Sequence, residues 1–260
     1  MLDNVPIVRI YKDGKGKPKR MKDTVVAEYA LTIRLYDKEL VTLLCSPEKL
    51  EYLAVGFLFS EGIIKGKEDI KGIVLDENKG AIEIATAEPG TTTKDAAFQR
   101  LIASSGGQGI SSLDLDHNIV ESKRTITPAE IFDLIEEFVH RSDVFEATGG
   151  AHSAALCDAR NILVFSEDIG RHNAIDKVFG ECLMKAIPTN DHIVLTSGRV
   201  SSEIVQKVAK RNIPMIISKS APTNRGVEIA ADLGITLIGF VREGRMNLYT
   251  HTWRVVSDEI

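Results

Sequence analysis

The fold class follows from residues 192–243, whose sequence is HIVLTSGRVSSEIVQKVAKRNIPMIISKSAPTNRGVEIAADLGITLIGFVRE. Three apolar runs, HIVLT, PMIIS and TLIGFV, alternate here with two amphipathic stretches, SSEIVQKVAKRN and NRGVEIAADLG. Apolar runs of strand length separated by helical periodicity are typical of β-α-β units, in which crossover helices join parallel strands. We therefore predict an α/β protein with a parallel sheet in this part of the chain.

The loops that follow the three predicted strands are rich in hydrogen-bond donors. They are TSGRVSS (196–202), SKSAPTN (218–224) and FVREGR (240–245). Ligands of open parallel sheets bind beyond the carboxyl ends of the strands, and phosphate oxygens require several directed donors. We expect a phosphorylated ligand here; the alternative is a set of capping serines and solvated arginines. The candidates are Ser197, Arg199, Ser201, Ser202, Ser220, Thr223, Arg242 and Arg245, with Gly198 and Gly244 allowing close backbone approach.

Upstream, the stretch EDIGRHNAIDKV (167–178) crowds polar residues into the start of a predicted helix. A helix beginning near Arg171, with Asp168 as N-cap, places one apolar face toward the core. That face contains Ile175, Val178, Phe179, Cys182 and Ala186, and the other side contains His172, Asn173, Asp176 and Lys177. We expect His172 to pair with Asp176 one turn later. The apolar face of this helix would then anchor it to the core, and its polar face would contribute to a site. The alternative is a surface helix in which the histidine is satisfied by protein contacts. His152, which follows Gly149 and Gly150 and precedes a predicted strand, either approaches a ligand or has a structural role.

The N-terminal region is predicted to be built on hairpins. EYALTIRLYDKELVTLLC (28–45) indicates two strands around a turn at Asp37 and Lys38, and IKGIVL with GAIEIATA indicates a second hairpin. Between them SPEKLEYLAVGFLFSEG is typical of a helix, with Ser46 as N-cap, Pro47 in the first position and Gly62 at the end.

Residues 88–112, which include SSGGQG, lose all periodicity, and we predict a mobile Gly/Ser loop. A helix follows at TPAEIFDLIEEFVHRS, where Thr127 and Glu130 have capping-box spacing, and HSAALC with NILVFSED indicates another hairpin. We therefore divide the chain into a smaller N-terminal α+β part, residues 1–112, and a C-terminal α/β part that binds the ligand, residues 113–260. No linker between them is long enough for two independent domains.

The composition is that of a globular protein. With 43% hydrophobic residues, 27% charged residues and a net charge of −5, the chain is an unlikely binder of duplex nucleic acid. The longest apolar run, LAVGFLF, is far shorter than the roughly 20 residues that a spanning helix needs, and the N-terminus has no signal-peptide core. We expect a cytoplasmic protein without a membrane partner.

Several kinds of site are excluded by motif. Cys45, Cys157 and Cys182 are widely spaced and lie in apolar patterns, so we expect small buried hydrophobes rather than disulfides or a zinc site. No G-x-G-x-x-G, P-loop or G-x-S-x-G occurs, which disfavours nicotinamide enzymes, P-loop NTPases and serine hydrolases. The zinc deaminase signature is also missing, because His-Ser-Ala stands at 152–154 and no cysteine pair follows.

Six blocks lie in order between Glu28 and Thr250: LAVGFLFSEGII, FEATGGAHSAAL, EDIGRHNAIDKV, LTSGRVSSEIVQK, SKSAPTNRGVEIA and GITLIGFVREGRMNLYT. Together they resemble the FdhD/NarQ family of formate dehydrogenase accessory sulfurtransferases. The resemblance implies a cytidine-deaminase-like sheet flanked by helices, without the deaminase metal, in a homodimer. It also implies transfer of persulfide sulfur from a cysteine desulfurase to the bis-molybdopterin guanine dinucleotide cofactor of formate dehydrogenase, which such proteins bind.

The same resemblance assigns a cofactor-binding stretch. It consists of Phe240, Val241, Arg242, Glu243, Gly244 and Arg245. The guanine nucleotide portion of the cofactor agrees with the phosphate-suited loops, where Ser197, Arg199, Ser220 and Thr223 would complete a polar cradle. Arg171 and His172 would then approach the pterin or the pyrophosphate, and GDP would serve as a partial mimic of the cofactor.

The chain departs from the family in the glycine-rich loop. Members carry a cysteine after a pair of small residues, whereas Gly106 follows Ser104 and Ser105 here. A persulfide cannot form on glycine, since a thiolate must attack and then hold the transferred sulfur. Gly106 therefore cannot carry the relay, although the loop keeps its length and is expected to close over a ligand.

Three functions are consistent with these residues. The first is a cofactor-binding accessory protein, for which catalysis of sulfur transfer is left open by Gly106. The second is a non-catalytic carrier that holds the molybdenum cofactor and passes it to the apo-enzyme. The third is a nucleotide enzyme that uses His172 and Asp176 for acid–base chemistry.

Overall fold

The computed structural model describes residues 1–12, 17–86 and 119–257. It is a mixed α/β structure in which helices flank mixed sheets, as predicted. The predicted loop at 88–112, including Gly106, lies outside the described residues, and so does the boundary between 112 and 113. The division into two parts and the cytidine-deaminase-like topology both stay predictions.

The main sheet consists of six strands: β7 His152–Cys157, β8 Ile162–Asp168, β9 Ile193–Thr196, β10 Met215–Ser218, β11 Thr236–Arg242 and β12 Arg245–Leu248. Their order in the sheet is β12-β11-β10-β9-β7-β8. The central strands β9, β10 and β11 are parallel, which confirms the prediction from residues 192–243, and the outer pairings are antiparallel. The short strand β12 was not predicted.

Helices cover both faces of this sheet because its central strands alternate two sets of apolar side chains. Val194, Ile216 and Leu237 pack on one core, and their neighbours along the strands pack on the other. The first core is covered by α4 Arg171–Met184, α5 Ser202–Ala209 and α6 Asn224–Asp232. The second core is covered by α2 Pro128–His140, and the short α3 Asp143–Thr148 follows it. Thr127 and Glu130 form the predicted capping box of α2.

The N-terminal region contains a four-stranded sheet in the order β4-β3-β6-β5. Its strands are β3 Tyr29–Leu35, β4 Lys38–Cys45, β5 Ile70–Asp76 and β6 Ala81–Thr86, and helix α1 Leu50–Ser60 packs on it. Both predicted hairpins are confirmed. The first turn is shifted by one residue, to Tyr36 and Asp37, which both have positive φ. An unpredicted hairpin precedes this sheet, formed by β1 Leu2–Arg9 and β2 Lys19–Val26.

The predicted start of α1 was wrong. The helix begins at Leu50 after Lys49, and Ser46 does not cap it. Instead the Ser46 backbone N–H donates to Asp168 and its hydroxyl accepts from the Ile169 N–H, so a contact distant in sequence prevails over the local signal. The predicted end was right, because Gly62 follows the C-cap with a φ of 74°.

Helices α1 and α4 cross with their backbones in contact. A Cβ on Gly56 would overlap the Asp176 carbonyl, and a Cβ on Gly180 would overlap the Tyr52 carbonyl. The two helices run antiparallel, since Tyr52 lies beside Gly180 while the Ser60 hydroxyl donates to Asp176. The C-terminal end of α1 is thereby brought to the N-terminal end of α4.

Candidate functional site

The three donor-rich loops converge on one edge of the main sheet. Because β9, β10 and β11 are parallel, their carboxyl ends lie side by side. The loops are also joined directly, since the Val200 N–H donates to Ala221 O at 3.1 Å and the Phe240 N–H donates to Ser220 O at 3.1 Å. The sequence-predicted residues of 196–202, 218–224 and 240–245 are therefore brought together at this edge.

Arg171, at the start of α4, packs against the loop after β9. A Cβ on Gly198 would lie 2.8 Å from the Arg171 Cβ, so this approach requires glycine. Next to it, the Ser197 Oγ accepts a hydrogen bond from the Ser153 N–H at 2.9 Å and lies 3.4 Å from His152 Nδ1. Arg171, Ser197 and His152 thus form one cluster, with exposed Arg199 in the same loop.

Two polar atoms in this region are buried without a hydrogen-bond partner among the described residues. They are Arg171 Nε and the hydroxyl of Ser201, the residue immediately before α5. Buried polar atoms of native proteins are nearly always paired with protein, water or ligand, so these two donors are available to such a partner. A guanidinium N–H and a hydroxyl at a helix start fit an oxyanion such as phosphate.

The two histidines of this edge favour the neutral form. Burial lowers the pKa of His152, and the positive charges of Arg171 and Arg199 lower it further. Burial also lowers the pKa of His172, with Lys207 as the next cause. Both imidazoles are then uncharged at neutral pH, and the arginines supply the positive charge of the edge.

The loop after β10 contributes one hydroxyl that has no hydrogen-bond partner among the described residues and one that is in use. Thr223 caps α6, because its Oγ1 accepts the Gly226 N–H at 3.0 Å. Its hydroxyl therefore already has a structural role. Ser220 is partly exposed, its N–H donates to Ser218 Oγ, and its carbonyl accepts from Phe240.

The segment 240–245 forms the end of β11 and the turn into β12. Phe240, Glu243 and Gly244 all have positive φ, and the register of the strand pair shifts between Gly239 and Arg242. Strained backbone of this kind at a strand end is common at binding sites. Arg242 and Arg245 are exposed and lie opposite one another across the turn, with the Arg242 Cζ 5.4 Å from the Phe240 ring centroid. Val241 alone points away, into the second core.

The polar crowding of EDIGRHNAIDKV is largely structural. Asp168 and Lys177 have no exposed side-chain surface and form an ion pair of 2.7 Å. The Asp168 carboxylate also accepts from the Ser46 N–H, the Gly170 N–H and Asn173 Nδ2. Gly170, not Asp168, is the N-cap of α4, although Asp168 bonds its N–H. The predicted polar face was therefore wrong for Lys177, which is in the core.

The predicted pairing of His172 with Asp176 was also wrong. Asp176 is 1% exposed and accepts from Ser60 Oγ and Lys207 Nζ, each at 2.6 Å. His172 Nε2 instead lies 3.4 Å from Glu203 Oε2 of α5. The acid–base pair on which a nucleotide enzyme would depend is therefore not formed. On the apolar face the prediction holds except for Ala186, which is exposed beyond the end of α4.

The three cysteines are buried, as predicted. Burial raises the pKa of Cys45 to about 12 and that of Cys182 to about 12, and it raises the pKa of Cys157 as well. Thiols of this kind remain protonated and are poor nucleophiles.

Sequence reasoning missed the contributions of α1 and α5 to this region. Ser46 donates to the carboxylate of Asp168, which lies 122 positions away in the sequence. Ser60 and Lys207 donate to the carboxylate of Asp176, from 116 and 31 positions away. No local pattern carries such pairings. Among residues 1–12, 17–86 and 119–257, no group of three or more His, Cys, Asp or Glu residues is placed to hold a metal ion. None of the described helices has the length and apolar character needed to cross a membrane.

Comparison with known proteins finds matches over nearly the full chain. The model of the FdhD/NarQ family matches residues 26–256. The sulfur carrier protein FdhD of Bacillus subtilis (strain 168) is 38% identical over 261 residues, covering 98% of this chain and 99% of that protein. The protein of the same name from Staphylococcus aureus (strain MRSA252) is 39% identical over 258 residues, covering 98% and 96%.

A solved structure is similar as well. It is a crystal structure described as a formate dehydrogenase accessory protein, from Desulfotalea psychrophila. The TM-score is 0.76 at 27% sequence identity, with 98% of this chain and 99% of that chain covered. The fold of this chain is therefore similar to that of the Desulfotalea psychrophila protein.

Proposed function

Because the chain belongs to the FdhD/NarQ family, we propose that it is a formate dehydrogenase accessory protein that binds the bis-molybdopterin guanine dinucleotide cofactor at the carboxyl edge of its main sheet. In this proposal the protein works in the cytoplasm as a homodimer, and its partners are a cysteine desulfurase and a formate dehydrogenase. When bound, the cofactor supplies the molybdenum centre, and the residues of this chain bind and orient its charged and ring groups.

One observation carries the proposal. Three donor-rich loops converge on one edge, where Arg171 Nε and the Ser201 hydroxyl are buried and unpartnered in the described structure. A pyrophosphate linkage would satisfy both atoms, and Arg199 in the adjoining loop would offset its charge. The donor set thus fits the anionic part of the cofactor.

The turn between β11 and β12 is assigned to a guanine nucleotide. Arg242 and Arg245 hold phosphate or guanine, since both guanidinium groups are exposed and flank the turn. Phe240 offers a partly exposed ring beside Arg242, which suits stacking with a purine. Ser197 and Ser220 line the same edge, and Thr223 contributes through the start of α6.

Removing the guanidinium group of Arg171 or of Arg245 is expected to weaken GDP binding. A charge-assisted hydrogen bond contributes about 1.5–3 kcal/mol, so Arg245→Ala and Arg171→Ala should each raise the GDP dissociation constant roughly tenfold to a hundredfold. Isothermal titration calorimetry measures this directly. Arg225→Ala is the matched control, because Arg225 is exposed on α6 and forms an ion pair with Glu228 of the same helix. Unchanged affinity in both site variants would contradict the proposal.

A second candidate, a carrier that does not itself transfer sulfur, is favoured by the state of the cysteines. Glycine stands at the family's cysteine position, and all three thiols are buried with raised pKa. Persulfide relay needs an accessible thiolate that reaches both donor and acceptor. On this ground we propose cofactor binding without a covalent sulfur intermediate on Cys45, Cys157 or Cys182.

A labelling experiment tests the carrier. The protein is incubated with a cysteine desulfurase and sulfur-labelled cysteine, and non-reducing gels measure the label it retains. We expect none, since no thiolate is available for attack. Retained label that disappears in one of the variants Cys45→Ser, Cys157→Ser or Cys182→Ser would establish a relay through that cysteine instead.

A further inference from the structure

Three helix ends meet on the far side of Arg171 from the β11 turn. The antiparallel crossing with α4 brings the last residues of α1 to the start of α4, where Ser60 bonds Asp176. The start of α5 joins them, because Glu203 lies 3.4 Å from His172. Glu61, the residue directly after α1, is therefore placed near the N-terminal end of α4, within electrostatic range of Asp176 and Glu203.

Most charged groups in this cluster already have partners. Asp176 is bonded by Ser60 and Lys207. The last carbonyls of α1 are also occupied, since Lys210 donates to Ser60 O at 3.0 Å and Arg211 donates to Phe59 O. These contacts are those expected of cations at a helix C-terminus, and they fasten α1 to α5.

Glu61 is the exception. Its carboxylate has no hydrogen-bond or ion-pair partner within residues 1–12, 17–86 and 119–257, and its side chain is only partly exposed. Burial raises its pKa against the opposing charges of Lys207 and Lys210, while Asp176 and Glu203 act in the same direction as burial. A negative charge at a helix C-terminus also opposes the helix dipole. The described structure gives this carboxylate nearby positive charges but no hydrogen-bond donor, so both of its oxygens can accept hydrogen bonds from a ligand.

We propose that Glu61 recognises the aminopyrimidinone edge of a pterin or guanine ring. This edge presents a ring N–H beside an exocyclic amino group, and the two oxygens of one carboxylate accept both hydrogen bonds. The inference rests on the proposed function, because it requires a ligand whose anionic part is held by Arg171 next to His172. The inference adds a contact that is specific for the ring, made by the residue directly after α1 and outside the three strand-end loops.

Glu61 marks one end of the proposed site, and the turn after β11 marks the other. β9 and β11 lie on either side of β10, so their ends are about 10 Å apart, and Glu61 lies further out on the α4 side. One ring cannot therefore contact both Phe240 and Glu61. An elongated ligand with an aminopyrimidinone ring at each end would span the edge, with its phosphates over Arg171 and the loop of Ser197.

The test compares ring pairs that differ at the 2-amino group. The probes are GDP against IDP, and 6-hydroxymethylpterin against 6-hydroxymethyllumazine, titrated into the full-length wild type and Glu61→Gln. Glutamine keeps the shape but presents one amino group to the two donors of the ring. We expect the affinity for the ring that Glu61 reads to fall roughly tenfold to a hundredfold, and the affinity for its analogue without the 2-amino group to stay within about twofold.

Glu51→Gln is the matched control, since Glu51 is an exposed carboxylate in the first turn of the same helix. A selective loss for the pterin pair assigns Glu61 to the pterin, and a selective loss for the guanine pair assigns it to guanine. Equal ratios in wild type and Glu61→Gln for both pairs overturn the inference. The proposed function fails differently, through wild-type protein that binds no GDP or through unchanged GDP affinity in both Arg171→Ala and Arg245→Ala.

Stability separates this role from a structural one. The pKa of Glu61 is higher in the folded protein than in the unfolded chain, so its contribution to stability is present below the unfolded value and is lost as pH rises through the folded value. Glu61→Gln should then melt at the same or a higher temperature than wild type at pH 7. A lower melting temperature would assign Glu61 to the fold and overturn the inference.

Discussion

Replacing Asp168 with alanine is expected to lower the free energy of unfolding by about 3–5 kcal/mol, the usual effect of breaking a buried ion pair. Lys177 has no exposed side-chain surface, so its amino group would be left in the core without its counter-ion. The backbone N–H groups of Ser46 and Gly170 would lose their acceptor at the same time. The loss also loosens the start of α4, which holds Arg171.

Urea denaturation followed by circular dichroism measures this loss. Glu228→Ala is the control, because the exposed Arg225–Glu228 pair should contribute no more than about 1 kcal/mol. The double variant Asp168→Asn with Lys177→Met removes both charges and should be less damaged than Asp168→Ala. If Asp168→Ala unfolds within about 1 kcal/mol of wild type, the pair does not anchor this helix.

Alanine at Gly56 or Gly180 is expected to destabilise the protein by about 1–3 kcal/mol, the range for overpacking a dense interface. The same change in an isolated helix would stabilise it by about 0.5–1 kcal/mol, so even the sign depends on the helix crossing. The reason is steric, since either Cβ would overlap a backbone carbonyl of the facing helix. Helices α1 and α4 would have to separate, carrying Glu61 away from the N-terminal end of α4.

Thermal melting of both variants, compared with Gly72→Ala, measures this effect. Gly72 is in β5, and the nearest atom to a Cβ there would be the Ala85 Cβ at 4.0 Å, so alanine should be tolerated at that position. Gly56→Ala and Gly180→Ala should also bind GDP more weakly in proportion to their loss of stability. Wild-type melting temperatures in both would mean that the two helices are not in backbone contact.

Local sequence signals predicted most of the secondary structure. The capping box at Thr127, the glycine that ends α1 and the alternation in residues 192–243 all act within a few positions, and all are confirmed. The hairpin of β1 and β2 was missed because its polar, charged strands lack the apolar alternation that marks a strand with a buried face.

The signals that failed were overridden by distant partners. Ser46 and Asp168 each have the residue type and position of a helix N-cap, yet they bond one another across 122 positions. Asp176 stands one turn from His172 but binds Ser60 and Lys207. In each case the distant partner lies on an element that packs against the residue, and a buried carboxylate must be satisfied where it lies.

The sequence by itself determined the class of the fold, the three parallel strands and the place of the donor-rich loops at their ends, because strand alternation and right-handed crossovers leave little choice of topology. It also carried the family motifs. Only the tertiary structure decided which polar residues are free to bind a ligand. The crossing of α1 and α4 commits Asp168, Asp176 and Lys177 to the core and leaves Arg171, His172 and Glu61 at its edge. That choice depends on which groups of separate elements meet in space, and such pairings have no periodic trace in the chain.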